Sequence, residues 1–122
     1  AALDGMQGEI DALWILPDLT VLAPESVQYM LLFSFRNKIP LLGLSENQAR
    51  MGALLGLSFE SGRDIGIQAG ELANEILAGR SVEDIPFTTA RKVRLTVNLK
   101  TAAKLGLQIP KEILDRADVV IR

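Results

Sequence analysis

The chain has 122 residues, a length that fits one domain, and 48% of them are hydrophobic. A formal charge of -2 argues against broad nucleic-acid binding, which needs a basic face to displace counterions. With neither histidine nor cysteine, the chain lacks thiol nucleophiles, cysteine zinc sites and histidine bases.

The first apolar run, DALWIL at 11–16, is short and closed by Pro17-Asp18, which predicts a buried strand. Pro24 and Glu25 suit the first turn of a helix, where proline's missing N–H costs nothing and a carboxylate meets the dipole. Val27, Met30 and Leu31 fall on one face of it. Arg36, Asn37 and Lys38 end it, with Asn37 able to take the left-handed cap. The run IPLLGL at 39–44 predicts a second strand, ended by Ser45-Glu46-Asn47. Strand, helix and strand make a βαβ unit, and continuous apolar runs suit buried parallel strands.

A short helical turn is expected over 46–52 and a third strand over 53–57. Ser61 with Asp64 resembles a capping box. It opens a helix whose apolar residues, Ile65, Ala69, Leu72, Ala73, Ile76 and Leu77, recur at helical steps. Gly79 ends it. Gly66 and Gly70 inside the helix read as close packing against a neighbouring strand. At 93–97 the alternation V-R-L-T-V predicts a strand with one wet face at a sheet edge. Asn98 caps a helix that stops at Gly106, Pro110 opens another, and 119–121 makes a last strand.

The predicted class is α/β with a parallel, Rossmann-like sheet. The abrupt start at Ala1-Ala2-Leu3-Asp4 reads as a fragment whose N-terminal half, and any leader, lies upstream. The longest mostly apolar stretch, at 27–35, falls short of the roughly 20 residues that span a bilayer.

Open parallel sheets bind ligands outside the carboxyl ends of their strands. Three such ends are expected here: Pro17, Asp18 and Thr20; Ser45, Glu46 and Asn47; Ser58, Phe59 and Glu60. They offer carboxylates for an amine, hydroxyls and an amide for orientation, and an aromatic face. Each has a plainer reading. Asp18 and Asn47 can simply make turns, Ser61 and Asp64 can simply cap, and Phe59 can fill the core. A catalytic or Mg²⁺-binding pair of Asp18 and Glu46 is the weakest reading. Neither GxGxxG nor GxxxxGK[ST] occurs. No catalytic residue, cofactor or metal site is expected.

The run Val97-Asn98-Leu99-Lys100-Thr101-Ala102-Ala103-Lys104-Leu105-Gly106-Leu107-Gln108-Ile109-Pro110, with Ala117-Asp118 and Val120 after it, carries a family resemblance. It is similar to the closing signature of ABC-transporter substrate-binding proteins of the tryptophan and aromatic amino-acid type. Asp11 to Asp18 resembles that family's strand ending at the cleft. Ile39-Pro40, Gly52-Ala53-Leu54 and Ile76-Leu77-Ala78-Gly79 resemble its middle.

The resemblance implies a type I periplasmic-binding-protein fold, with two lobes closing on a solute. Residues 1–57 and 91–122 would form the second lobe, and the helix at 60–79 would pack on the first. Asp18 carries over at the cleft-lining position, whereas Ser45, Glu46 and Asn47 are placed by geometry alone. The implied partners are a small-molecule solute, with an amino acid as its narrower form, and a membrane permease. The implied location is periplasmic or extracellular, with or without a lipid anchor. Self-association of the fragment through uncovered apolar surface is expected. A sensory domain of the same fold and a small flavodoxin-like enzyme are the alternatives.

Overall fold

The structure, a computed structural model, describes residues 2–59 and 61–122. Five strands form one sheet in chain order: β1 (Leu13–Trp14), β2 (Leu41–Gly43), β3 (Leu55–Phe59), β4 (Val93–Asn98) and β5 (Val119–Ile121). Among the described residues five α-helices accompany them: α1 (Pro24–Asn37), α2 (Glu46–Met51), α3 (Gly62–Leu77), α4 (Leu99–Leu105) and α5 (Lys111–Asp115). The chain divides into two compact units. One comprises the residues up to Ser58 together with Arg94–Arg122, and the other is Phe59–Val93.

In the larger unit β1 pairs with β2 in parallel, as the βαβ pattern predicts, and β2 pairs with β3 in parallel as well. β4 and β5 are parallel to each other. β4 nevertheless enters from the opposite end. The Asn98 N–H donates to the Leu54 carbonyl (2.9 Å), so the last residue of β4 meets the start of β3. The side chains agree: Arg94 lies beside Glu46 at the head of α2, and Asn98 donates to the carbonyl of Ala49, one turn on. The sheet is therefore mixed, and the head of β4 lies where β2 and β3 end.

Two local expectations need correction. β4 is not an edge strand; it lies between β3 and β5, and its residues Thr96, Val97 and Asn98 are buried. The left-handed cap of α1 is Lys38 (φ 55°), not Asn37. Asn37 stays helical and donates to the Phe33 carbonyl, so its amide satisfies an end group from inside the last turn.

The core lies where α1 covers the sheet. Ile15, Val27, Met30, Leu31, Leu41 and Ala53 form one buried cluster. The other row, Trp14, Leu42 and Leu55, is aligned across three strands. Trp14 at its end is 65% exposed, and Leu57 two residues beyond Leu55 is 51% exposed. A buried parallel sheet covers both faces; here one face leaves large apolar side chains open.

Thr96 is 1% exposed, and its hydroxyl has no hydrogen-bond partner among the described residues. Thr96→Val removes that group at nearly constant shape. We expect it to raise unfolding stability by about 1 kcal/mol in urea titration.

In the smaller unit α3 forms over the predicted range, with Ser61 accepting from the Asp64 N–H (3.1 Å). The box is not reciprocal, because the Asp64 carboxylate takes the Ser61 hydroxyl proton instead of reaching back to the backbone. Gln68 is the buried residue of α3, not the apolar stripe. Its amide donates to Thr89 O (2.8 Å), and its carbonyl oxygen accepts from Arg91 N (3.0 Å). With the Asp64–Lys92 and Glu71–Arg91 ion pairs, it clamps the returning segment onto the helix. No strand of this chain packs closely on Gly66 or Gly70, since a Cβ at either position meets nothing within 4 Å.

Candidate functional site

The parallel register of β1, β2 and β3 sends the loops at 16–20 and 44–45 out at one end of the sheet, whereas Ser58 and Phe59, expected beyond the third strand, are the last residues of β3 itself. That shared exit places Asp18, Ser45, Glu46 and Ser58 on one side of the larger unit. Glu60 lies outside the described residues.

After β1 the ladder ends with Ile15 N donating to Leu42 O (3.0 Å), and Pro17 follows. The Asp18 carboxylate then folds the chain back. Its Oδ1 accepts from Thr20 N (2.8 Å) and from the Thr20 hydroxyl (2.6 Å). The Asp18 carbonyl accepts from Val21 N and Leu22 N, both at 3.0 Å. The turn reading of Asp18 is thus correct, and it does not exhaust the residue, because the carboxylate stays exposed. The Thr20 hydroxyl, and after it the Thr20 amide, holds the Asp18 carboxyl below the usual carboxylate range. Thr20→Val removes the larger cause, so we expect the Asp18 pKa to rise in a side-chain NMR titration. Because the folded value is depressed, Asp18 favours folding above its unfolded pKa and loses that contribution as pH falls through the folded value.

Pro17 is exposed beside Asp18. Asp18 also borders a hollow of about 620 Å³ along the open side of β1. Its walls are mainly apolar, including Leu13, Trp14, Leu16, Val21 and Met30, with Tyr29 bound to Asp4 at its margin. Of the eight predicted ligand residues, only Asp18 lines this hollow.

After β2, Ser45 caps α2 by accepting from Gln48 N (3.2 Å). The Gln48 side chain reaches back over Gly43 to take the Leu44 N–H (2.6 Å). Glu46 is half-buried, and one of its oxygens takes both Arg50 Nε (2.9 Å) and Arg50 Nη2 (2.6 Å). Its other oxygen stands 3.8 Å from Arg94 Nε. Asn47 is exposed near Met51. At the end of β3, Ser58 is half-buried and Phe59 is 57% exposed, so Phe59 does not fill the core.

This arrangement suits binding better than acid–base chemistry. A general base near neutral pH needs a raised carboxylate pKa. Asp18 is shifted the other way, and Glu46 is committed to arginine. Among the described residues no group of three or more acidic side chains could hold a metal ion.

Sequence reading missed two site residues. Gly56 lets the Ser45 loop approach β3: a Cβ there would lie 2.2 Å from the Ser45 carbonyl oxygen. A glycine inside the apolar run ALLGL was the available signal. Arg94 was missed because the alternation at 93–97 does not reveal which end of the sheet the strand enters.

The family model for ABC transporter substrate-binding proteins matches residues 1–121. A tyrosine-binding protein of Clostridioides difficile (strain R20291) is 34% identical over 109 residues, spanning 88% of this chain and 30% of that protein. A conserved domain protein of Vibrio cholerae has a similar structure, with a TM-score of 0.68, 26% identity, and coverage of 98% of this chain and 39% of that one. So does the ligand-free, open form of a Clostridium difficile substrate binding protein with adhesive properties, at TM-score 0.63, 27% identity, and coverage of 98% and 39%. The ABC domain of a Streptococcus pneumonia protein in complex with L-Trp shares the fold at TM-score 0.65 and 24% identity, again covering 98% and 39%. The chain thus spans well under half the length of these relatives.

Proposed function

Because this chain belongs to the ABC transporter substrate-binding protein family, we propose that it forms part of an extracytoplasmic component that captures a small solute for a membrane permease. The observation that carries this reading is the common exit of three parallel strands, which gathers Asp18, Ser45, Glu46 and Ser58 at one end. Pro17 and Thr20 belong to the first of these strand exits, Asn47 to the head of α2 and Phe59 to the end of β3. The solute is an amino acid, supported by the ion-forming side chains at these loops and by the name of the tyrosine-binding relative. The cleft has a second wall, supplied by the rest of a two-lobe protein. The unit Phe59–Val93 belongs with that other lobe.

A ligand site commonly buries 70–90% of its ligand, and one wall covers about half of that. If the two-walled protein binds near 1 μM, this chain alone binds at roughly millimolar strength. Calorimetry against an amino-acid panel tests the split: micromolar binding by the chain alone contradicts it.

The exposed side chains of Trp14 and Leu57, at the ends of the row they share with half-buried Leu42 and Leu55, bear on assembly, because exposed apolar surface favours association. Light scattering at high concentration is expected to find dimers or larger species of this chain. A clean monomer there contradicts that expectation.

A further inference from the structure

Arg94 opens β4, and β4 runs against β2 and β3, so its head stands at the end of the sheet where their loops leave. The alternate residues Arg94, Thr96 and Asn98 share one face of β4. Two of them mark its direction: Arg94 at Glu46 and Asn98 at Ala49, the first and fourth residues of α2. The Arg94 side chain is 44% exposed. Its Nε lies 3.8 Å from Glu46 Oε2, beyond hydrogen-bond length, while Arg50 fully engages Glu46 Oε1. Arg50 sits in the last turn of α2, away from the strand ends.

We propose that Arg94 receives the carboxylate of the solute, with Glu46 holding the guanidinium over the strand ends; this rests on the amino-acid reading above. A guanidinium presents a planar fork that matches a carboxylate with two parallel hydrogen bonds. An α-amino acid carries its two opposite charges a few ångströms apart. Glu46 and Arg94 offer the complementary pair on that scale, side by side with no hydrogen bond closed between them, so the guanidinium fork stays available to a carboxylate. Asp18 is a poorer partner for the same ammonium, because β1 and β4 are separated by three strand spacings, about 14 Å. Glu46 is therefore a positioning residue as well as an anionic contact.

The test is an amide NMR titration of the chain with L-phenylalanine and with phenethylamine, which lacks the carboxylate. The unsubstituted chain is expected to prefer L-phenylalanine. Arg94→Gln is expected to weaken L-phenylalanine about tenfold and to leave phenethylamine unchanged. Equal weakening of both ligands, or no change in either, overturns the role of Arg94 and leaves the amino-acid reading standing. If no amino acid of a full panel shifts the loops of the unsubstituted chain, the reading itself fails and the inference with it. Should Arg94→Gln not fold, Arg94→Lys asks the same question. It replaces the fork by a point charge and is expected to shrink the preference for L-phenylalanine about threefold. An undiminished preference in that variant overturns the proposal.

Discussion

Gly56→Ala is expected to destabilise the larger unit by about 2–4 kcal/mol, among the costliest single methyl additions available in it. The added carbon would lie 2.2 Å from the Ser45 carbonyl oxygen, 2.8 Å from the Ser45 carbonyl carbon and 3.2 Å from Ala49 Cβ. The first two are backbone atoms and cannot rotate away. Either β3 leaves its register with β2, or the Ser45 loop is pushed outward with the head of α2. Both movements displace Glu46, so weaker solute binding should accompany the lost stability. Urea unfolding measures the first effect and amide shifts at 44–48 the second. Gly66→Ala is the control, because its Cβ meets nothing within 4 Å and alanine favours a helix interior. A Gly56→Ala loss below about 0.5 kcal/mol, within the range of ordinary surface changes, would contradict the close approach.

Asn98→Ala is expected to cost a similar amount, about 2–4 kcal/mol, by a different route. Asn98 is 4% exposed and does two jobs. Its Nδ2 donates to Ala49 O (2.7 Å), and its Oδ1 accepts from Thr101 N (3.0 Å) to cap α4. Thr101 adds a hydroxyl bond to Gly52 O (3.1 Å). Together they tie the start of α4 to the end of α2. Asn98→Ser keeps a capping oxygen and loses the long reach to Ala49, so it should recover about 1 kcal/mol of the loss. If serine recovered nothing, the capping role would be refuted.

These residues explain an uneven legibility. The run from Asn98 to Gly106 was readable because it encodes local geometry: an amide cap, a helix of two turns and a left-handed glycine (φ 74°). Its distinctive residues are structural, at the end of the sheet opposite the exits of β1 and β2. α1 and α3 were readable from proline, a serine cap and helical spacing, α2 as a short turn, and β1 to β3 from apolar runs, although β3 runs over Leu55–Phe59, two residues later than its run suggests. β1 shrank to Leu13–Trp14 because only those residues have a register partner on β2.

What could not be read was long-range. The alternation at 93–97 fits an edge strand, yet β5 covers its outer side, and no local signal reports a partner more than twenty residues away. The direction of β4 depends on where the chain returns from the unit Phe59–Val93, and this is why Arg94 escaped notice. Asp18 was found because proline and aspartate close a strand visibly. Glu46 was found by position; its pair with Arg50 is an i,i+4 contact local to α2, but its approach to Arg94 requires the folded sheet.

The most direct measurement is an amide NMR map of the chain titrated with L-phenylalanine to millimolar concentration. Shifts should concentrate at 17–20, 45–47, 58–59 and Arg94 if the proposed site lies where three same-direction strands end. Shifts confined to Gly52, the start of α4 and α5, with those loops unmoved, would place the ligand on the wrong end of the sheet and contradict the account.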